Sequence, residues 1–231
     1  MGLSWDGVGQ KKYETGLKMG VLYPVNESTG VYAPGVAWNG LTAVNESPEG
    51  AEASDLYADD AKYISLYSAE NFKGTIEAYT YPDEFAALNG EEELLGTDVQ
   101  AGVYAGQQKR GAFGLCYRTV MGNDVSGDNY GYKLHLVYGC KVSPSEKAYK
   151  TINDSPEAIS FSWEFSTTPV AFKTTKQTSQ ITIDSTKFTT TTQKAKLTAL
   201  EDILYGNDTT ETNGARLPLP DEIITKLTPS P

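Results

Sequence analysis

The chain has a single histidine, His135, and only two cysteines, Cys116 and Cys140, in 231 residues. One histidine and two separated thiols do not make up the ligand set of a typical zinc site. A Ser–His–Asp triad would have to use His135, and no G-x-S-x-G elbow accompanies it. The expected role of His135 is therefore structural, on the mixed face of a strand. Neither a P-loop nor a G-x-G-x-x-G run is present, so no nucleotide or other cofactor is indicated. No apolar stretch approaches the ~20 residues of a membrane-spanning helix. The opening MGLSWDGVGQKK lacks the apolar core of a secretion signal, and Asp6 stands where the myristoylation pattern needs Ser or Thr. A soluble protein on the reducing side of the membrane is expected, with its thiols free.

Basic residues are scarce and scattered, with Lys109-Arg110 as an adjacent pair, and the formal net charge is −11. Nucleic-acid affinity rests mainly on Lys and Arg neutralising phosphates, so specific DNA binding is not expected. The surplus negative charge serves solubility, or forms a surface that DNA slides past. The densest carboxylates, Asp59-Asp60 and Glu91-Glu92-Glu93, do not make a hydrolytic pair. Adjacent acids on a strand point to opposite faces, and glycoside hydrolysis needs two carboxylates aimed into one cleft. The loop from Asn123 to Asn129 departs from the spacing of a calcium loop and reads as a hairpin turn. Enzymatic activity is not expected.

What the chain does have is tyrosine: 15, against 7 phenylalanines and 3 tryptophans. Hydrophobic residues make up 39%, below the ~45–50% usual for a globular domain. Tyr joins an apolar body to a polar tip, which suits half-buried sheets and subunit contacts. Strand patterns cover 18–25, 31–44 with a turn at Asn39-Gly40, 57–68, 72–80, 112–120, 130–142, 158–166 and a short run around Ile181 and Ile183. The runs 57–68 and 72–80 are expected to pair as a hairpin, as are 112–120 and 130–142. A turn near residue 125 would set Cys116 opposite Leu134. Within 130–142, Tyr132, Leu134, Leu136 and Tyr138 share one face. Phe161, Trp163 and Phe165 alternate with polar residues, the mark of a strand with one buried face.

Ser47 to Asp55 reads as an acidic loop. A short helix is expected at 82–88, with Asn89-Gly90 at its exit. A second helix is expected near 195–205, where Leu197, Leu200, Ile203 and Leu204 recur at helical spacing. Thr198 and Glu201 are its expected capping box and Gly206 its stop. The resulting fold class is mainly β: an antiparallel β-sandwich or barrel with one flanking α-helix and short additional helices. Its expected domains are a flexible N-terminal arm (1–17), the β-domain (18–206) and a Pro-rich C-terminal extension (207–231) that lies along a neighbour or hangs free.

Seven phrases carry a further signal: KMGVLYP, GVAWNGLTAVNESPEGAE, LYADDAKYISLYSAENFKGTIEAYTYPDEF, GYKLHLVYGCKVSPSEKAY, TINDSPEAISFSWEFSTTPV, KLTALEDILYG and ARLPLPDEI. In this order, from about Lys18 to Ile224, they resemble the major tail proteins of long, non-contractile-tailed bacteriophages of Gram-positive hosts. None of the phrases is an active-site motif. The resemblance implies a structural virion protein of the viral tail, assembled in the host cytoplasm. It implies hexameric rings joined sheet to sheet and stacked into a tail tube through which the genome leaves. The implied partners are further copies of the chain, the tape measure protein, and the tail terminator and distal tail proteins. DNA would pass through the lumen without specific binding, with no membrane and no cofactor involved.

In that family the long connection between the second and third strands reaches a neighbouring ring. Here that is about 45–60, and Glu46, Glu49, Glu52, Asp55, Tyr57, Asp59 and Asp60 within it are the candidate contact residues. Two other readings fit the composition: a carbohydrate-binding β-sandwich of a receptor-binding or adhesion module, and a capsid decoration protein.

Overall fold

A computed structural model describes residues 2–94, 102–152, 157–173, 175–207 and 214–228. The chain is mainly β. In chain order the strands are β1 (Lys12–Pro24), β2 (Val36–Ala37), β3 (Leu41–Glu46), β4 (Glu49–Gly50), β5 (Ala53–Ala58), β6 (Ala61–Tyr67), β7 (Glu70–Asn71), β8 (Lys73–Ala78), β9 (Glu92–Glu93), β10 (Tyr104–Ala105), β11 (Phe113–Asn123), β12 (Gly127–Val142), β13 (Phe161–Thr167) and β14 (Gln180–Asp184). The helices are α1 (Asp83–Leu88), α2 (Thr191–Tyr205) and α3 (Pro220–Leu227).

One antiparallel sheet dominates, in the order β2-β1-β11-β12-β13-β8-β3, with β14 also pairing β12. It curls, because the Trp38 amide donates to the Gly20 carbonyl (2.8 Å) and brings β3 back against β1. The strand directions define two ends. Strands β1, β8 and β12 run toward the end that carries α1. Strands β3 and β11 run toward the other, where the chain leaves the barrel between Glu46 and Lys73.

The central strands are buried on both faces, so their side chains divide between two cores. Inside the curl, Leu22, Trp38, Ile76, Phe85, Phe113, Leu115, Val137, Trp163 and Phe165 pack together. Trp163 stands edge-on to Phe85 at 5.0 Å and to Tyr81 at 5.4 Å. On the outer face Val21, Tyr23, Cys116, Leu134, Leu136 and Tyr138 meet α2 and α3. Helix α2 contributes Leu197, Leu200, Ile203 and Leu204, all buried. At roughly 1.5–3 kcal/mol per side chain, this stripe supplies on the order of 10 kcal/mol before ordering entropy is subtracted.

Several expectations are corrected by this architecture. The runs 57–68 and 72–80 do not pair with each other: β6 pairs β5, while β8 lies between β13 and β3. The alternation of β8 (Gly74, Ile76 and Ala78 buried) demands a core on one face, which β6 does not offer. Residues 47–55 are partly strand (β4 and β5) and not a plain loop. Asp59 and Asp60 are not in a strand. Both have positive φ (50° and 60°) and form the two-residue turn joining β5 to β6, as a type I′ hairpin requires.

The β11–β12 hairpin forms with Cys116 opposite Leu136, because a bulge between Met121 and Asn123 slips the register by two. Helix α2 begins earlier than 195. Thr190 and Gln193 make its capping box, Thr198 is interior and bonds back to Lys194 O (3.1 Å), and Gly206 ends it in the left-handed region. The N-terminal arm is shorter than expected: from Lys12 the chain already pairs with β11. Within the C-terminal segment, the described residues 214–228 dock on their own chain. Leu217 and Ile223 are buried in the outer core, Tyr138 Oη donates to Pro218 O (2.9 Å), and Arg216 pairs with Glu222 (2.6 Å).

Candidate assembly interface

Between Glu46 and Lys73 the chain forms an arm that stands off the barrel. Its stem is the short β4–β7 pair, Glu49 opposite Asn71 and Gly50 opposite Glu70. Its blade is the β5–β6 hairpin, which pairs with no other strand among the described residues. Six residues at about 3.3 Å each make the blade roughly 20 Å long. Gly50 has φ +94°, and a Cβ there would sit 2.4 Å from Ala69 O, so glycine is required where stem passes into blade.

The blade is exposed on both faces, with only Ser65 half-buried. Leu56 faces Ile64 across the strands, and Leu66 follows on the same side, each about half exposed. Tyr57, Tyr63 and Tyr67 are 71%, 77% and 72% exposed. A two-stranded hairpin is marginal alone in water, and a contiguous apolar surface of this kind marks an interaction site.

The seven candidate contact residues take different places. Tyr57 is on the blade, and Asp59 and Asp60 form its tip. Asp55 is engaged within the blade by Lys62 (2.8 Å) and by the Ser65 hydroxyl (2.6 Å), which together hold its pKa below the usual carboxylate value. Glu49 pairs with Lys73 (2.5 Å) at the root, and the Glu52 backbone bonds Ser68. Glu46 is turned away from the arm, into the barrel. The apolar residues Leu56, Tyr63, Ile64, Leu66 and Tyr67 were missed by the acidic reading. Their signal was the alternation in KYISLY, with no polar face to match it.

Glu46 joins a polar network where the inner face opens toward the arm. Tyr117 Oη donates to Glu46, Gln180 Nε2 donates to it (2.6 Å), and His135 Nδ1 lies 3.5 Å away. His135 stacks flat on Tyr117, with ring centroids 4.7 Å apart and 3° between planes. On the other side Thr119 Oγ1 donates to Glu14 (2.5 Å) and lies 3.0 Å from His135 Nε2, while Lys133 pairs with Glu14. His135, the Tyr117 hydroxyl and the Gln180 amide together pull the Glu46 pKa down to about 2, against the opposing effect of burial. The network ties the root of the arm to β1, β11, β12 and β14 and fixes its departure from the barrel.

Both thiols are buried in apolar surroundings, and burial pushes Cys116 up to about 12. Among the described residues no helix is long and apolar enough to cross a membrane. No protein-family model matches the chain, and no curated protein matches its sequence.

Proposed function

We propose that this chain is a structural subunit that assembles with copies of itself, of the tail-tube kind its sequence resembles. The single observation that carries the reading is the blade: six large apolar or tyrosine side chains, all exposed, on a hairpin that pairs with no other strand among the described residues. A curled antiparallel sheet with unpaired end strands supports it, because joining sheets into a ring removes their edges. Net acidity suits a conduit for DNA, whose phosphates it would repel. On this reading the chain is not an enzyme. Rings stack into a tail tube in the virion, and the tape measure, terminator and distal tail proteins meet its lumen and ends.

Negative-stain electron microscopy of the purified protein at high concentration, with light scattering alongside, tests it. Rings or hollow tubes are expected. A variant in which 51–69 is replaced by Asn-Gly keeps the β4–β7 stem and closes it with a favourable two-residue turn. It is expected to stay folded and to form rings or monomers without tubes. Normal tubes from this variant refute the role of the arm, and a strict monomer from the parent protein refutes the assembly reading.

A further inference from the structure

Strands β11 and β12 and helix α2 border an open pocket of about 480 Å³ on the outer face of the barrel. Its volume lies within the range of small-molecule sites. Arg118 comes from β11, Tyr130 and Tyr132 from β12, Ser185 from the turn after β14, and Lys194 from the start of α2. In a chain of net charge −11, this pocket is lined by two cations and one carboxylate. The carboxylate, Asp128, accepts from the Tyr13 hydroxyl (2.8 Å). Among the described residues neither cation forms an ion pair. The Arg118 guanidinium lies over the Tyr132 ring, 3.4 Å from its centroid, and Met19 Sδ is 4.0 Å from Nη1. Both partners are neutral. Lys18 stands directly opposite Arg118 in the β1–β11 register, and Lys12 lies over the Tyr130 ring at 5.1 Å. Like charges directly opposite in a sheet destabilise it, a cost that a bound anion removes. The neighbouring carboxylates are engaged elsewhere. Asp184 accepts from Thr186, and Glu201 bonds the Tyr132 hydroxyl, whose pKa burial and this bond push up to about 12.

We propose that this pocket binds a phosphate monoester carried on a small ring-bearing molecule. The donor set selects the anion. Arg118 presents a planar fork that matches two phosphate oxygens, and Lys194 adds a point charge from a different element. Ser185 Oγ accepts from the Tyr132 amide (2.9 Å), which leaves the hydroxyl proton to donate. A phosphate monoester has three terminal oxygens for these three groups, where a carboxylate has two. Tyr130 and Tyr132 flank the donors with aromatic surface for the group that carries the phosphate. Sugar phosphates and nucleotides share this chemistry. The site involves no residue of the arm and stands whether or not the chain assembles.

Isothermal titration calorimetry at low salt with glucose 6-phosphate, AMP and inorganic phosphate tests the proposal. Saturable binding of at least one ester is expected, with none of glucose or adenosine. Tighter binding of glucose 6-phosphate assigns a sugar phosphate, and tighter binding of AMP a nucleotide. Inorganic phosphate binding as tightly as both esters overturns the ester assignment. Lys194→Gln and Arg118→Gln each remove a charged hydrogen bond and are expected to weaken binding at least about tenfold. Lys150→Gln makes the same change of net charge at an exposed position outside the pocket and is expected to leave the affinity unchanged. Circular dichroism melting checks that each variant is folded. Lys194 is exposed on α2, so its variant keeps the test decisive even where loss of the stack on Tyr132 unfolds Arg118→Gln. No saturable heat with either ester, or equal losses in all three variants, overturns the proposal.

Discussion

Replacing Glu46 by Gln gives a stability difference whose pH dependence follows from the structure. In the folded protein His135, Tyr117 and Gln180 hold the Glu46 pKa near 2, against an ordinary 4.5. At 1.36 kcal/mol per pH unit this corresponds to about 3 kcal/mol. The side chain is about a third exposed (32%), so solvent screening reduces the expected contribution to roughly 1–2 kcal/mol. The sign follows from linkage: a carboxylate whose folded pKa is depressed stabilises above its unfolded pKa and loses that contribution as pH falls through the folded value. The amide of Gln does not titrate. The parent protein should therefore exceed E46Q by roughly 1–2 kcal/mol at pH 6 and by less than about 0.5 kcal/mol near pH 2. Urea denaturation followed by tryptophan fluorescence reads this, because Trp38 and Trp163 are buried and change environment on unfolding. The other carboxylates titrate in both proteins and largely cancel in the difference. An equal gap at both pH values would refute the assignment of the low pKa to this network.

Three other outcomes are expected. Leu200→Ala, at a fully buried position in the α2 stripe, should cost about 2–5 kcal/mol and lower Tm by roughly 5–15 °C in calorimetry; a shift below 2 °C would mean that α2 is not clamped to the sheet. Gly206→Ala should cost about 1–3 kcal/mol, since φ is +77° and the new Cβ would lie 2.7 Å from the Ala215 nitrogen; an unchanged urea midpoint would contradict the left-handed stop. Ellman's reagent should find no reactive thiol in the native protein and both after unfolding, because burial raises the pKa of Cys116 and Cys140 alike; rapid native labelling would place one of them at the surface.

The parts of the fold legible in the sequence are those whose signal is local. The Phe161–Trp163–Phe165 alternation marks β13 because one face meets the inner core and the other meets water. The β11–β12 hairpin is visible because only a short turn separates its arms. Proximity misled where the nearest strand was not the partner. β8 lies next to β6 in sequence but pairs with β13, since only there does Ile76 find Trp163. Helix α2 looked shorter than it is because the β-branched run Thr190–Thr192 reads as extended chain, although Thr190 and Gln193 carry the capping signal. The candidate site was half legible. Its position in the chain and its acidic tip follow from Glu49 to Asp60, but hairpin geometry turns Asp55 and Glu49 inward to lysines and leaves tyrosines outermost.

The order of pairing in the main sheet has a consequence for how the chain comes to be folded. The β1–β2 and β3–β8 pairs lie close in sequence, but Lys12 waits for Asn123 and Ile76 for Trp163, so the two parts of the sheet are not joined until well over half of the chain has been made. Sheets built from such distant pairings fold in milliseconds to seconds, because loop closure must be met before contacts repay it. The β5–β6 blade needs only its own two-residue turn, and hairpins of that kind form in about 1–10 μs. The blade is thus able to form while the barrel is still open, and its tyrosine-rich surface is on display before the body that carries it exists. Under the assembly proposed above, crowded synthesis would set correct assembly against premature pairing of nascent arms, and the acidic tip at Asp59-Asp60, repelling its like on another copy, would work against the premature pairing.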